Sequence, residues 1–533
     1  MDEPDLQNTK RKEQFKKTFG DAAGTVRRRD ELASLRKDQR SAALSKRRRG
    51  LDASSPMDGT LETKEQQQPM SDAVSVSQAS EDVTRLVAVL GTANVDAVAK
   101  AQTLQQLRTI LAIAEDDTPA DVAVAAGIVP LLISCLSDSS GRNAIEATWC
   151  LASIAAGRYS HTQQVLAAAP FFITFLGVNS PELQEQACWA LGNLAGEAKA
   201  IRDVLLNNGV VVPLLQVLAS EHVSISRTAA WALSNILKWD SEPYAAFLQG
   251  GVVPTIMKHF AAAAPDEGLL TELAWCLSYF SAQEEALVDV LIQAGVIPAV
   301  VSALRFNCTP IAIPVIRTLG NIVSCSGTQA GHVAAVPEVW PALAAGLSAE
   351  HRGLRKESAW TVANLAGTGF AFADTIVKSP LMPLLGRLLH TDKFDIAREA
   401  AFALYNIAIY DALLPAVMQL EVTAPVLGLV RVQDREIIEL ALRFIELIIQ
   451  RVPNGSVLVE QADGIEALET LQTALDGALW AEAGRLVDLI DTMNNGDSGY
   501  DLDDGKQPAA GAAGAPVPPE EYPPWRNTSR YAP

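Results

Sequence analysis

Glu185-Gln186-Ala187-Cys188-Trp189-Ala190-Leu191-Gly192-Asn193-Leu194-Ala195-Gly196-Glu197 is an Ala- and Leu-rich run carrying one aromatic residue and, four positions later, one carboxamide. Read as a helix, it places Trp189 and Asn193 one above the other on a single face. The same pairing recurs on both sides as Trp149/Ser153, Trp231/Asn235, Trp275/Tyr279, Arg317/Asn321, Trp360/Asn364 and Phe402/Asn406. Successive first members are 40, 42, 44, 42, 43 and 42 residues apart. A helical texture repeated at that period is the mark of a solenoid, in which each unit buries its apolar face only against its neighbours.

Corner signals fix the number of helices in each unit. Ala126-Gly127-Ile128-Val129-Pro130, Asn208-Gly209-Val210-Val211-Val212-Pro213, Gly250-Gly251-Val252-Val253-Pro254 and Ala294-Gly295-Val296-Ile297-Pro298 each put Gly at a helix end and Pro in the first turn of the next helix. They read as corners between a short first helix and a long second one, with the Trp-bearing helix third. Three helices per unit favour the armadillo over the two-helix HEAT arrangement. The expected fold is therefore all-α, a right-handed superhelical armadillo solenoid of about ten units, with repeats over 81–495. A linker is expected at 51–80, rich in Ser, Gln, Asp and Pro, and a tail at 496–533 that is acidic at first and then rich in Pro and Ala.

Composition agrees with growth by repetition. The chain has 533 residues, 49% hydrophobic but only 6% aromatic, too long for a single compact core. Six cysteines (Cys135, Cys150, Cys188, Cys276, Cys308, Cys325) stand singly in apolar stretches without zinc spacing, and read as reduced core residues. The six histidines are far apart in sequence, and no phosphate loop or nucleophile elbow is present, so neither catalysis nor a cofactor or metal is expected. The N-terminus is charged and no long uncharged apolar stretch occurs, which points to the cytosol or nucleus and away from a membrane.

Charge is divided along the chain. Residues 1–50 hold 15 Lys and Arg against 8 Asp and Glu, a net +7, whereas the remaining 483 residues carry −26 of the overall −19. A basic arm on an acidic body suggests an electrostatic partner elsewhere, or association of the arm with its own body. Leu32, Leu35 and Leu44 allow a helix between about residues 25 and 44, too thin in its apolar stripe to form without a partner.

The row of pairs has a definite chemistry. A carboxamide offers two donors and an acceptor, matching the amide groups of an extended peptide whatever its side chains. Neighbouring indole rings form slots for the methylene stems of Lys or Arg and attract their charge. Carboxylates near the pairs, Glu197, Glu272, Glu357 and Glu399, then select for cations.

With those residues in place, the chain resembles the importin-α family of nuclear import adaptors. The segments 185–197, 227–236 (Arg-Thr-Ala-Ala-Trp-Ala-Leu-Ser-Asn-Ile) and 317–323 (Arg-Thr-Leu-Gly-Asn-Ile-Val) look like its armadillo motifs, and Arg27 to Arg49 looks like its importin-β-binding arm. The resemblance implies a major site for nuclear localisation signals at Trp149, Ser153, Trp189, Asn193, Trp231, Asn235, Glu272 and Trp275. In it Gly157, Thr162 and Glu197 would frame the slot for the key lysine. It implies a minor site at Arg317, Asn321, Glu357, Trp360, Asn364, Glu399, Phe402 and Asn406. Arg27, Arg28, Arg29, Arg36, Lys37 and Arg40 would contact importin-β, and the last repeat an export receptor.

Lys46-Arg47-Arg48-Arg49 is itself similar to a localisation signal. Tethered by a linker of about 30 residues, it reaches an effective concentration in the millimolar range and would occlude the row until importin-β takes the arm. The implied protein shuttles between cytoplasm and nucleus and binds neither membrane nor specific nucleic acid.

Four positions depart from the family pattern. Glu197 stands where an Asp is usual, Ser153 replaces an Asn, Phe402 replaces a Trp, and Gly327 replaces an acidic residue. The last two weaken cation selection in the late rows, so cargo with a single basic cluster is expected to dominate. The alternatives are a general armadillo scaffold and a chaperone for basic proteins.

Overall fold

The computed structural model describes residues 76–92, 96–113, 117–138, 141–239, 243–474 and 477–495, and every regular element among them is a helix. The basic arm, most of the linker and the tail lie outside the described residues. So do Arg27, Arg28, Arg29, Arg36, Lys37, Arg40 and the Lys46–Arg49 cluster.

Two compact units divide the described chain, one ending at Tyr279 and the other beginning at Phe280. The first opens with Val76–Leu90 and Ala97–Ile113, then runs through triplets closed by the long helices Arg142–Ala155, Pro181–Glu197, Val223–Leu237 and Glu267–Phe280. In the second, Thr309–Val323, Arg352–Thr368, Phe394–Ala408, Arg435–Arg451 and Gly477–Asn495 each close a triplet. The described residues thus hold ten repeats, the first with two helices.

The corners follow from glycine. Gly127, Gly209, Gly251 and Gly295 have φ between 77° and 80°, left-handed values that cost Gly nothing. First and second helices turn through 84°, 90° and 72° at the corners of Gly127, Gly209 and Gly295. The second helices are not long, as the sequence reading had them. Ile128–Cys135 and Val211–Leu218 span 8 residues and Val252–Phe260 spans 9. Their apolar runs are as short as they look, and the length of the unit lies in the third helix.

Third helices pack on one another through small residues. The position after each row member is Cys150, Ala190, Ala232, Cys276, Thr318, Thr361 and Ala403, all fully buried. One residue further on, Leu151, Leu191, Leu233, Leu277, Leu319, Val362 and Leu404 are equally sealed, each worth about 1.5–3 kcal/mol of apolar burial. Cys150 and Cys276 are therefore small residues of the inter-repeat seam, and burial pushes the Cys150 thiol well above its ordinary range. Cys308 and Cys325 are only half-buried, unlike the other four. No single helix among the described residues is long and apolar enough to cross a membrane.

Charge pairs lock successive repeats at the helix starts. Asp266 accepts from the amide of Leu269 at 2.7 Å and takes both Nε and Nη2 of Arg227 from the preceding third helix, at 3.0 and 2.5 Å. Asp434 caps its helix through Glu436 and Ile437 and lies 3.9 Å from Arg398. Asp392 binds Arg355 at 2.5 and 3.0 Å, and this hydrogen bond holds its carboxyl below the usual carboxylate range.

A depressed carboxyl stabilises the fold at pH above the ordinary Asp value of 3.8, and that contribution fades as pH falls through the depressed value. Asp392→Asn should lower stability by roughly 1 kcal/mol at neutral pH. Urea midpoints at pH 7 and pH 3 check this: the gap between variant and parent should narrow at pH 3, and a gap that is equal at both would contradict it.

Candidate peptide-binding face

The third helices carry all seven sequence pairs, and the structure shows how each side chain is held. In the unit ending at Tyr279, the rings of Trp189 and Trp231 stack with centroids 4.8 Å apart and planes at 22°. Trp231 lies flat against Gly192, where a Cβ would collide with its ring. Trp360 lies in the same way against Gly320. The residue before each row carboxamide thus sets how low the next indole sits. The slot expected between Trp189 and Trp231 is closed, because an alkyl stem between two rings needs roughly 7 Å, two van der Waals contacts of about 3.5 Å. Trp149, Trp189 and Trp231 remain half-exposed, whereas Trp275, Trp360 and Phe402 are buried.

The carboxamides are staples between repeats. Nδ2 of Asn193 donates to the carbonyl of Ala152 at 2.9 Å, that of Asn235 to Gly192 at 3.1 Å, and that of Asn406 to Ala363 at 3.0 Å. Asn364 reaches the Gly320 carbonyl at 3.5 Å, and Asn321 donates to Ser281 Oγ at 3.1 Å. The sequence reading expected these amides on an exposed face; Asn193 has no exposed surface at all and the other four have 7% or less. Each Asn joins two consecutive third helices, so its unfavourable position inside a helix is offset by a bond across some 40 residues of sequence.

Around the candidate lysine slot, Thr162 is fully buried and its hydroxyl donates to the Ala155 carbonyl at 3.1 Å. Beside it, His161 Nε2 lies 3.0 Å from Asp121 Oδ1. Glu197 ends its helix half-buried, and Ser153 and Gly157 are also half-buried. Glu272 accepts from Ser234 Oγ at 3.4 Å, and Trp275 and Tyr279 lie 6.4 Å apart on one helix. In the unit beginning at Phe280, Arg317 pairs with Glu357, and its guanidinium lies 5.3 Å from the Trp360 ring centroid. Glu399 meets Arg398 at 3.8 Å.

Sequence reasoning missed three groups. Arg108 lies 4.5 Å over Trp149 and pairs with Glu146 at 3.0 Å, the same arrangement as Arg317, Trp360 and Glu357. Its signal was present, since it stands 41 residues before Trp149. Burial raises the Glu146 carboxyl, with Arg108 and Arg142 opposing. Lys238 donates to the Gly196 carbonyl, and Trp239 Nε1 to Ala195 at 2.7 Å, so both cap the helix that ends at Glu197. Arg398 is the third. Among the described residues, no group of three or more His, Cys, Asp or Glu could hold a metal ion.

Comparison with known proteins decides the family. The chain is 33% identical over 503 residues to importin subunit alpha-9 of Arabidopsis thaliana, covering 90% of this chain and 96% of that one. This chain belongs to the importin-α family. Importin subunit alpha-2 of Oryza sativa subsp. japonica is 32% identical over 415 residues, covering 73% of this chain and 78% of the relative. The importin beta binding domain matches residues 11–103, and the armadillo/beta-catenin-like repeat matches 161–196 and 199–238. The crystal structure of an engineered protein superposes with a TM-score of 0.69 at 24% identity, covering 77% of this chain and 99% of its own, and supports the fold alone. An importin-β-binding domain joined to importin-α repeats makes the chain a nuclear import adaptor linked to importin-β.

The glycine seats yield a direct check. Gly320→Ala would drive a methyl group into Trp360 and the Thr361 hydroxyl and should cost about 1–3 kcal/mol. Gly331→Ala, with nothing within 4 Å, should be neutral or stabilising. Urea unfolding of the two variants should separate them; equal midpoints would mean that the indole does not rest on Gly320.

Proposed function

We propose that the row on the third helices binds Lys/Arg-rich nuclear localisation signals, and that the N-terminal arm, when not held by importin-β, covers the row through Lys46–Arg49. The observation that carries this reading is the half-exposed series Trp149, Trp189 and Trp231, held at one register by carboxamide bonds from each third helix to the one before it. An acidic body beneath that aromatic series favours a cationic ligand. The arm carries the opposite charge and lies within the match to the importin beta binding domain.

In this reading Trp149, Ser153, Trp189, Asn193, Trp231 and Asn235 form the major site, with Gly157, Thr162 and Glu197 at its lysine slot. Entry of a lysine stem between Trp189 and Trp231 requires the two rings to part. The rows from Arg317 to Asn406 form a second site. Cargo and importin-β then favour each other's binding, because each removes the arm from the row. The adaptor is non-catalytic, shuttles between cytoplasm and nucleus, and meets an export receptor at its last repeats.

Affinity of a short Lys-rich peptide with one basic cluster tests the reading, measured on the full chain, on a chain beginning near residue 70, and on that shorter chain with Trp189→Ala and Asn193→Ala. The shorter chain should bind most tightly, the full chain roughly tenfold or more weakly through competition by the tethered arm, and the double variant scarcely at all. Equally weak binding by all three would favour a scaffold whose row is structural.

A further inference from the structure

The late rows contain their own cations. Arg317 is 3% exposed, is ion-paired with Glu357, and faces the ring of Trp360. Arg398 is 6% exposed and lies 5.5 Å over the ring of Phe402. Its Nη2 binds Glu436 Oε2 at 2.5 Å, with Glu399 at 3.8 Å and Asp434 at 3.9 Å. Burial opposes its charge, but the three carboxylates outweigh burial and raise its pKa.

An aromatic face with a carboxylate beside it is what a row offers to a Lys or Arg side chain. In both late rows that place is taken. Glu357 and Glu399, the two carboxylates the sequence assigns to cation selection, are 4% and 3% exposed and each is engaged by an arginine of this chain. A cargo cation must displace a buried guanidinium, which would strand one charge without its partner. Glu436 adds a clamp from the following repeat, on the helix Arg435–Arg451.

We propose that Arg317 and Arg398 are specificity-determining residues that plug the late rows, so that this adaptor discriminates against a second basic cluster and reads signals through their first cluster alone. The proposal rests on the peptide-binding reading above and gives single-cluster preference a different cause from the absent Trp at 402. The pocket is occupied from within, with Arg317 on one ring and Arg398 on the next.

The test measures dissociation constants of the full chain for two labelled peptides that share one basic cluster, the second peptide carrying an added upstream cluster on a spacer. The parent protein should bind the two within about twofold of each other. Arg398→Met bares the Phe402 ring and Glu399, and should raise the advantage of the two-cluster peptide about tenfold while leaving the one-cluster affinity in place. Arg398→Lys keeps the cation and should keep the parent ratio.

Arg317→Met provides an independent opening at the neighbouring row, in case the Arg398 variant fails to melt cooperatively. A ratio that stays at the parent value in the folded Met variants overturns the plug, as does a parent protein that already prefers the two-cluster peptide tenfold. Failure of the parent to bind either peptide would instead overturn the peptide-binding reading, and the plug with it.

Discussion

Everything in this chain depends on how one third helix lies against the next. Two contacts set that spacing. Small residues at the seam, from Cys150 through Ala190 and Ala232 to Ala403, let the helices approach. A carboxamide then reaches across to a carbonyl of the preceding repeat, as Asn193 does to Ala152 and Asn235 to Gly192. Because a buried amide without a partner is costly, this bond fixes register as well as distance. The row of aromatic side chains is a by-product of that regularity.

Charge follows the same logic. The body is strongly acidic, yet the arginines on its third helices are committed to the next repeat: Arg227 to Asp266, Arg355 to Asp392, Arg317 to Glu357 and Arg398 to Glu436. Each pair lies between neighbouring units, where it sets how the units meet. What remains for a ligand is the acidic surplus and the rings that the chain leaves accessible. Trp189 and Trp231 keep each other company in a closed stack, and Trp360 and Phe402 sit under guanidinium groups. The early and late rows therefore look alike in sequence and differ in what a peptide would have to move.

Much of the fold was legible because it repeats. A 42-residue period, glycine corners and an aromatic every unit are local patterns, and the structure places Gly127, Gly251 and Gly295 at left-handed corners between first and second helices. The length assigned to the second helices was not legible, because the apolar run past each Pro hides its end. Site chemistry was legible in residue type and hidden in direction. No pattern says that Asn193 turns its amide toward Ala152 instead of outward, since both choices satisfy the same spacing. Arg398 and Glu436, 38 residues apart, share no motif; only the packing of consecutive units brings them together.

The central claim is that a basic peptide engages the early rows, at Trp189 and Trp231, and leaves the late rows unchanged. Fluorine NMR of protein labelled with 5-fluorotryptophan tests it most directly, with the nine tryptophan signals assigned by single Trp→Phe variants. On titration with a one-cluster Lys-rich peptide, the Trp189 and Trp231 signals should move together as the stack opens, while the Trp360 signal stays in place beneath Arg317. Movement of Trp360 first, or no movement at Trp189 and Trp231 under saturating peptide, would contradict the account.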